Sequence, residues 1–253
     1  VNLSDLAASG ARPLAFTLSL ALPGVDEAWL AGFSAGLFAL ADAHHCELVG
    51  GDTTRGPLCI NIPAFGEVPA GRALLRSGAR AGDALWVSGT LGDARLALDA
   101  IRGTLSLPQQ VFDAARLRLE QPQPRVALGQ ALVGIATSAI DVSDGLLGDL
   151  GHVLRRSGVG ATIDTRRAVG LLAADAMTLP PGLVRALVLA GGDDYELAFT
   201  APADRHAEVQ AAAASAGTPV TCIGHIDAEA GVRLLGADGL PLTQAFAGFD
   251  HFR

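Results

Sequence analysis

Apolar residues recur along this chain in two rhythms. Trp29, Leu30, Phe33, Leu37 and Leu40 fall at helical spacing within residues 26–43, which predicts an amphipathic helix with an acidic first turn. Phe16, Leu18 and Leu20 alternate with Thr17 and Ser19, the two-residue period of a strand over 14–22, closed by Pro23-Gly24. Residues 2–8 read as a helix stopped at Gly10. A short strand over 47–49 runs into Gly50-Gly51-Asp52-Thr53-Thr54-Arg55-Gly56, and a strand over 58–66 carries Pro63, which marks an edge or a bulge.

Residues 72–83 are rich in glycine and arginine and predict a boundary near residue 72. Beyond it, a strand over 84–88 leads through Gly89-Thr90-Leu91-Gly92-Asp93 into a helix ending at Ile101. That turn could hold a phosphate but lacks the G-x-G-x-x-G spacing, so a tight turn is the better reading. Residues 113–135 read as helix interrupted by Gln121-Pro122-Gln123-Pro124, and 136–140 as a strand. Leu146, Leu147, Leu150, Val153 and Leu154 then repeat as a helix. A helix over 184–189, a strand over 195–199, a helix over 204–216 and a strand over 218–223 complete the pattern. Strands interleaved with helices predict an α/β (α+β) fold in two domains, 1–72 and 73–253.

The bulk numbers narrow the options. The chain has 253 residues, half of them hydrophobic and 17% charged, a globular composition. A net charge of −8 argues against a nucleic-acid surface. No apolar run reaches the roughly 18 residues that span a bilayer. Cys46, Cys59 and Cys222 form no C-x-x-C pair and read as reduced thiols of a cytoplasmic protein. His44-His45-Cys46 reads as the polar end of a helix, because no matching ligand group stands elsewhere. The sequence starts at Val1 inside an expected helix, which suggests an incomplete chain.

Asp141-Val142-Ser143-Asp144-Gly145 carries the chemistry. It places two carboxylates and a hydroxyl at a strand end and a helix start, beside backbone N–H groups that favour anions. Such oxygen ligands suit Mg²⁺ carrying a nucleotide phosphate, although Ser143 or Asp144 could simply cap the helix. An EF-hand is excluded, because the twelfth position is His152 and not Glu. All 18 basic side chains are arginines, so mechanisms that need a P-loop, kinase or Schiff-base lysine are excluded. Asp5, Asp52, Asp193 and Asp194 stand at or near other expected turns, two of them beside Gly50-Gly51 and Gly191-Gly192. Each alone is a turn residue; together they favour a multi-metal phosphate site, with Arg76 as the one nearby cation.

Six segments together resemble the thiamine-monophosphate kinase family. They are Asn2-Leu3-Ser4-Asp5-Leu6-Ala7-Ala8, Gly50-Gly51-Asp52-Thr53-Thr54, Arg76-Ser77-Gly78-Ala79, Asp141-Val142-Ser143-Asp144-Gly145, Gly192-Asp193-Asp194-Tyr195-Glu196-Leu197 and Gly248-Phe249-Asp250-His251-Phe252. The first and fourth occur more loosely in aminoimidazole ribonucleotide synthetase and selenophosphate synthetase. The resemblance implies ATP-dependent phosphorylation of thiamine monophosphate, several Mg²⁺ ions and a homodimer paired through the N-terminal domains. Residue by residue it implies Asp5, Asp52, Asp141 and Asp144 as metal ligands. It implies Gly51, Asp52, Arg76 and Ser143 as ATP contacts, and Asp193 and Phe249 as substrate contacts, Asp193 being one methylene shorter than the family's glutamate. The family pattern also has an upstream stretch with two acidic metal motifs that this sequence does not contain. Part of the metal cage is thus expected to be missing. The alternatives are another synthetase of the same architecture and a noncatalytic fragment that binds nucleotide or dimerises.

Overall fold

A computed structural model describes residues 1–174, 179–236 and 238–242. Helix α1 (Asn2–Ala8) precedes the long strand β1 (Arg12–Leu22), helix α2 (Glu27–Ala43), and strands β2 (Glu47–Arg55), β3 (Cys59–Asn61) and β4 (Ala64–Glu67). Asp26 caps α2 by accepting from the Trp29 N–H at 3.0 Å. In this four-stranded sheet β2 runs parallel to one edge of β1, while β3 and β4 pair antiparallel along the other. The strand expected over 58–66 is split at Ile62-Pro63, because proline has no N–H to give to the ladder.

One expectation fails here. Gly50 to Arg55 do not form a turn after a short strand; they continue β2, with Asp52 opposite Ser19 of β1. Glycine is required at position 51, where a Cβ would lie 1.9 Å from the Leu18 carbonyl oxygen. Local turn chemistry therefore loses to pairing with an 11-residue neighbour.

The second sheet has six strands in the order β10-β7-β9-β5-β8-β6. Its strands are β5 (Asp83–Ser88), β6 (Ser138–Val142), β7 (Gly160–Asp164), β8 (Glu196–Pro202), β9 (Val220–Asp227) and β10 (Gly231–Leu235). β10 and β7 are parallel and the other neighbours antiparallel. Helices α3 (Asp93–Ile101), α4 (Gln109–Glu120), α6 (Leu146–Ser157), α7 (Thr165–Val169) and α8 (Pro181–Ala190) send apolar residues into one core with Leu85, Val87, Ile140 and Val142. The opposite core joins Trp86, Ala139, Leu197 and Phe199 to α1, to α5 (Val126–Ala131) and to α9 (His206–Ser215). Strand alternation thus fills both faces. Short elements over 160–164, 165–169 and 231–235 were not expected from the sequence pattern.

Helix α1 links the two sheets. It packs on α5 and on β6, and the Asn2 side-chain amide donates to the Ile62 carbonyl between β3 and β4 at 2.7 Å.

Candidate active site

The site forms where α1 meets the carboxyl end of β6. Asp141 ends β6 almost wholly buried, and its carboxylate accepts from the Ser4 hydroxyl of α1 at 2.9 Å. The next residue of α1 is Asp5, open to solvent on one side. Partial burial first, and the charge of Asp141 second, raise its pKa above its ordinary value, while the N-terminal ammonium and then Arg76 pull it back. The segment bearing Arg76 is held along β6 by the Ala139 N–H, which donates to the Leu75 carbonyl at 3.0 Å.

The 141–145 loop is clamped against the 191–195 loop. The Asp193 N–H donates to the Ser143 carbonyl at 2.8 Å and the Tyr195 N–H to the Val142 carbonyl at 2.9 Å. Gly192 makes this approach possible, since a Cβ there would sit 2.3 Å from the Ser143 oxygen. Asp193 pays for the turn with a left-handed φ of 66°. The half-buried Tyr195 hydroxyl reports the result. Burial, followed by the charges of Asp193, Asp141, Asp144 and Asp5, pushes its pKa up to about 12. Four carboxylates are thus near enough for their charge to act on one phenol.

Two further carboxylates build the loops from beneath. Asp149 of α6 is buried, and its Oδ2 accepts from both the Ser143 and the Asp144 N–H at 3.0 Å. Burial raises its pKa to about 6 in spite of those two donors. Asp194 takes the Gly92 N–H on both of its oxygens, each at 3.0 Å, and burial holds its pKa well above the usual range. The Gly89 to Asp93 turn is thus tied to an internal acid, in keeping with a structural turn. Beside it Glu196, fully buried, accepts from the Ser88 hydroxyl at 2.6 Å, from Arg118 at 2.7 Å and from Arg125 through a two-point contact at 2.5 and 2.7 Å. Arg125 and Tyr195 also line a cleft of about 1320 Å³ shared with Asn2, Ser4, Phe16 and Gln123.

The structure gathers Asp5, Arg76, Asp141, Ser143, Asp144 and Asp193. It leaves Gly51 and Asp52 on β2, where the Asp52 carboxylate makes no hydrogen bond or ion pair among the described residues. Register puts Asp52 in a row with Ser19 and Asn61, about 10 Å across two strand spacings from the end of β3 beside Asn2. Phe249 lies outside the described residues. Arg76 is not the sole cation near the loop. His152 of α6 lies in the fields of Arg155, Arg76, Arg156 and Asp144, and Arg155 contacts its Nδ1 at 3.1 Å. Ser4, Asp149 and Tyr195 were missed by sequence reasoning; only Asp149 carried a signal, as an acid on the apolar stripe of α6 with Leu146, Leu150 and Val153.

The donor set fits Mg²⁺. Its oxygens are hard, and Asp5 stands one residue from Ser4, whose hydroxyl donates to the buried Asp141 carboxylate, so two carboxylates lie together at the seam. Among the described residues no three His, Cys, Asp or Glu side chains stand ready to hold an ion. Mg²⁺ is usually held by one or two carboxylates plus waters and substrate phosphates, so a closed protein cage is not required.

Known proteins share this fold. The model for the N-terminal domain of AIR synthase related proteins matches residues 1–68, and that for the C-terminal domain matches residues 80–236. Thiamine-monophosphate kinase of Salmonella typhimurium is 46% identical over 256 residues, covering 100% of this chain and 78% of that protein. The Haemophilus influenzae enzyme of the same name is 41% identical, with 100% and 77% covered. The crystal structure of thiamine-monophosphate kinase from Stenotrophomonas maltophilia K279a superposes with a TM-score of 0.86 at 47% identity, over 95% of this chain and 77% of that one. AaThiL complexed with AMPPCP and TMP superposes with a TM-score of 0.83 at 29% identity, over 99% and 77%.

Proposed function

This chain belongs to the thiamine-monophosphate kinase family, and from that membership we propose that it transfers the terminal phosphoryl group of ATP to thiamine monophosphate, giving thiamine diphosphate and ADP. The observation that carries the reading is the seam where the 141–145 loop, with Asp141 and Asp144, is hydrogen-bonded to the 191–195 loop bearing Asp193 and, through Ser4, to the helix bearing Asp5. A relative with the same fold is described in complex with AMPPCP and TMP.

The acceptor is a phosphate monoester whose second pKa is near 6. At neutral pH it is mostly a dianion and attacks without a general base, so no His or Lys need remove a proton. The reaction is a direct in-line displacement. An acceptor oxygen forms the new P–O bond as the bond to the ADP oxygen breaks, and the electron pair leaves with ADP. The obstacle is repulsion, on the order of 10 kcal/mol for two multiply charged phosphates if each unit pair ~4 Å apart contributes ~4 kcal/mol at an effective dielectric of 20. Mg²⁺, when bound, offsets that repulsion and aligns the two phosphates. Asp5, Asp141 and Asp144 are its ligands in this reading, with Asp52 approaching from β2. Ser143, Gly51, Asp52 and Arg76 contact ATP. Arg76 supplies a fork of donors suited to a phosphate, and Arg155, beside a His152 whose pKa burial and the neighbouring arginines lower, extends the positive side of the site. Asp193 and Phe249 are the substrate contacts in this reading, and the cleft beside Tyr195 has room for the organic part of the substrate.

The reading includes the division into an N-terminal domain, 1–72, that dimerises and carries ATP and metal contacts, and a C-terminal domain, 73–253. Exposed Trp29, Phe38, Val49, Leu58, Ile60 and Phe65 support a homodimer paired through the first of these. Its place is the cytoplasm, in keeping with three free thiols.

The test is ³¹P NMR of the protein with MgATP and thiamine monophosphate. Appearance of thiamine diphosphate and ADP is the expected result. ATP turnover only with an amide-bearing ribonucleotide from a substrate panel would replace this reading by a synthetase of the same architecture.

A further inference from the structure

Two successive backbone N–H groups that point to one spot form a nest for anions, and at a strand–turn–helix junction such a nest commonly receives a phosphate. The Ser143 and Asp144 N–H groups form that arrangement just before α6. Both end on the same atom, Oδ2 of Asp149, at 3.0 Å. The nest is filled by the chain's own carboxylate, which is 4% exposed. From this filling we infer that Asp149 is a positioning residue that plugs an anion nest and thereby makes the 141–145 loop a cation site. The inference rests on the reading of Asp141 and Asp144 as metal ligands.

Geometry gives the plug two effects. With these two N–H groups consumed, the nest itself is closed to a phosphate, and this part of the turn presents the side-chain oxygens of Asp141 and Asp144 to a ligand, which suit a cation. The Ser143 peptide is also fixed from both sides, its N–H by Asp149 and its carbonyl by the Asp193 N–H at 2.8 Å. The loop therefore has little freedom to swing its carboxylate away. The rival account is ordinary helix-end stabilisation, since α6 begins at Gly145 without a side-chain cap. That role affects stability but not the choice between cation and anion.

The deciding experiment compares the wild-type chain with Asp149→Asn, Asp149→Ala and Asp149→Glu. Mn²⁺ binding is read by EPR with AMPPCP present, inorganic phosphate binding by ³¹P line broadening, and folding by thermal unfolding. The asparagine carbonyl still accepts both N–H groups, so Asp149→Asn is expected to keep Mn²⁺ affinity within a few-fold. Asp149→Ala is expected to lose about 10–100-fold in Mn²⁺ affinity, the usual effect of removing an outer support of a metal ligand, and to gain phosphate binding. If the alanine variant does not fold, the glutamate variant decides: a plug one methylene longer displaces the turn and lowers Mn²⁺ affinity. Wild-type Mn²⁺ affinity in a folded alanine or glutamate variant would overturn the inference. Absence of Mn²⁺ binding by the wild-type chain would instead remove the metal reading of Asp141 and Asp144, and the inference with it.

Discussion

In the six-stranded sheet, successive residues Leu85 and Trp86 of β5 are both buried, one in each core; in the four-stranded sheet every residue of β2 is exposed. The same contrast holds for helices. α6 buries Leu146, Leu150, Val153 and Leu154, whereas the longer α2 buries only Ala41 and leaves Trp29, stacked on a half-buried Phe33, exposed. One half of the molecule buries both faces of its sheet, one of them with help from α1 and Phe16, and the other offers an apolar face. The difference teaches where each part of the chemistry can be held rigidly. Asp141, Asp144 and Asp193 stand on the finished half with their loops bound from beneath. Asp52 stands on the open half with no side-chain partner among the described residues.

The contrast can be broken most severely at Glu196. Replacing it by alanine strands Arg118 and Arg125, which are 22% and 13% exposed, beside an empty buried position. The expected cost is about 3–5 kcal/mol of folding stability, since a buried ion pair that loses one partner is penalised on that scale; chemical denaturation measures it. Next is Asp144→Asn. Turnover is expected to fall about 100-fold, or ~2.7 kcal/mol in the barrier, with the unfolding temperature little changed. Asp52→Asn should also slow turnover, with no stability cost at all. Near-normal activity of Asp144→Asn would take that residue out of the site.

A third and smaller effect concerns pH. Burial raises the folded pKa of Asp149 from 3.8 to about 6, so between those values the folded protein holds a proton that the unfolded chain has released. Its contribution to stability is full below 3.8 and is lost as pH rises towards 6. Urea midpoints across that window should fall with rising pH, and less so in Asp149→Asn. An unaltered slope would show that Asp149 does not titrate there. The smallest effect on stability is expected at Phe65, 52% exposed on β4. Phe65→Ser should shift monomer stability by no more than ~0.5 kcal/mol while weakening self-association in sedimentation. Unchanged association would place the dimer contact elsewhere.

Much of this was legible in the residues, and the failures have physical causes. The long helix over Glu27–Ala43 and the strand–turn–helix around 141–145 follow from periodicity that tertiary packing reinforces. The Gly50 to Gly56 segment misled because Gly, Asp and Thr favour turns locally, yet pairing with β1 holds most of it extended. Short β7, α7 and β10 are stabilised mainly by neighbours distant in sequence, β7 lying between β10 and β9. Asp141 and Asp144 were readable because their neighbours spell a turn. Ser4 was not, because nothing local shows that its hydroxyl reaches a carboxylate on another sheet. The anion-favouring N–H groups were correctly placed, but their occupant, Asp149, could be found only in three dimensions.

The Ser4–Asp141 hydrogen bond spans 137 positions of sequence, and that span has a consequence during synthesis. A ribosome adding ~5–20 residues per second takes roughly 7–27 s to travel it, and Tyr195 and Glu196 emerge later still. In that interval the first sheet and its acidic helix are made while the loops that complete the site do not yet exist. The nascent chain therefore passes through a period in which Ser4 and Asp5 have no loop to meet, and the seam can close only after Tyr195 and Glu196 have been made.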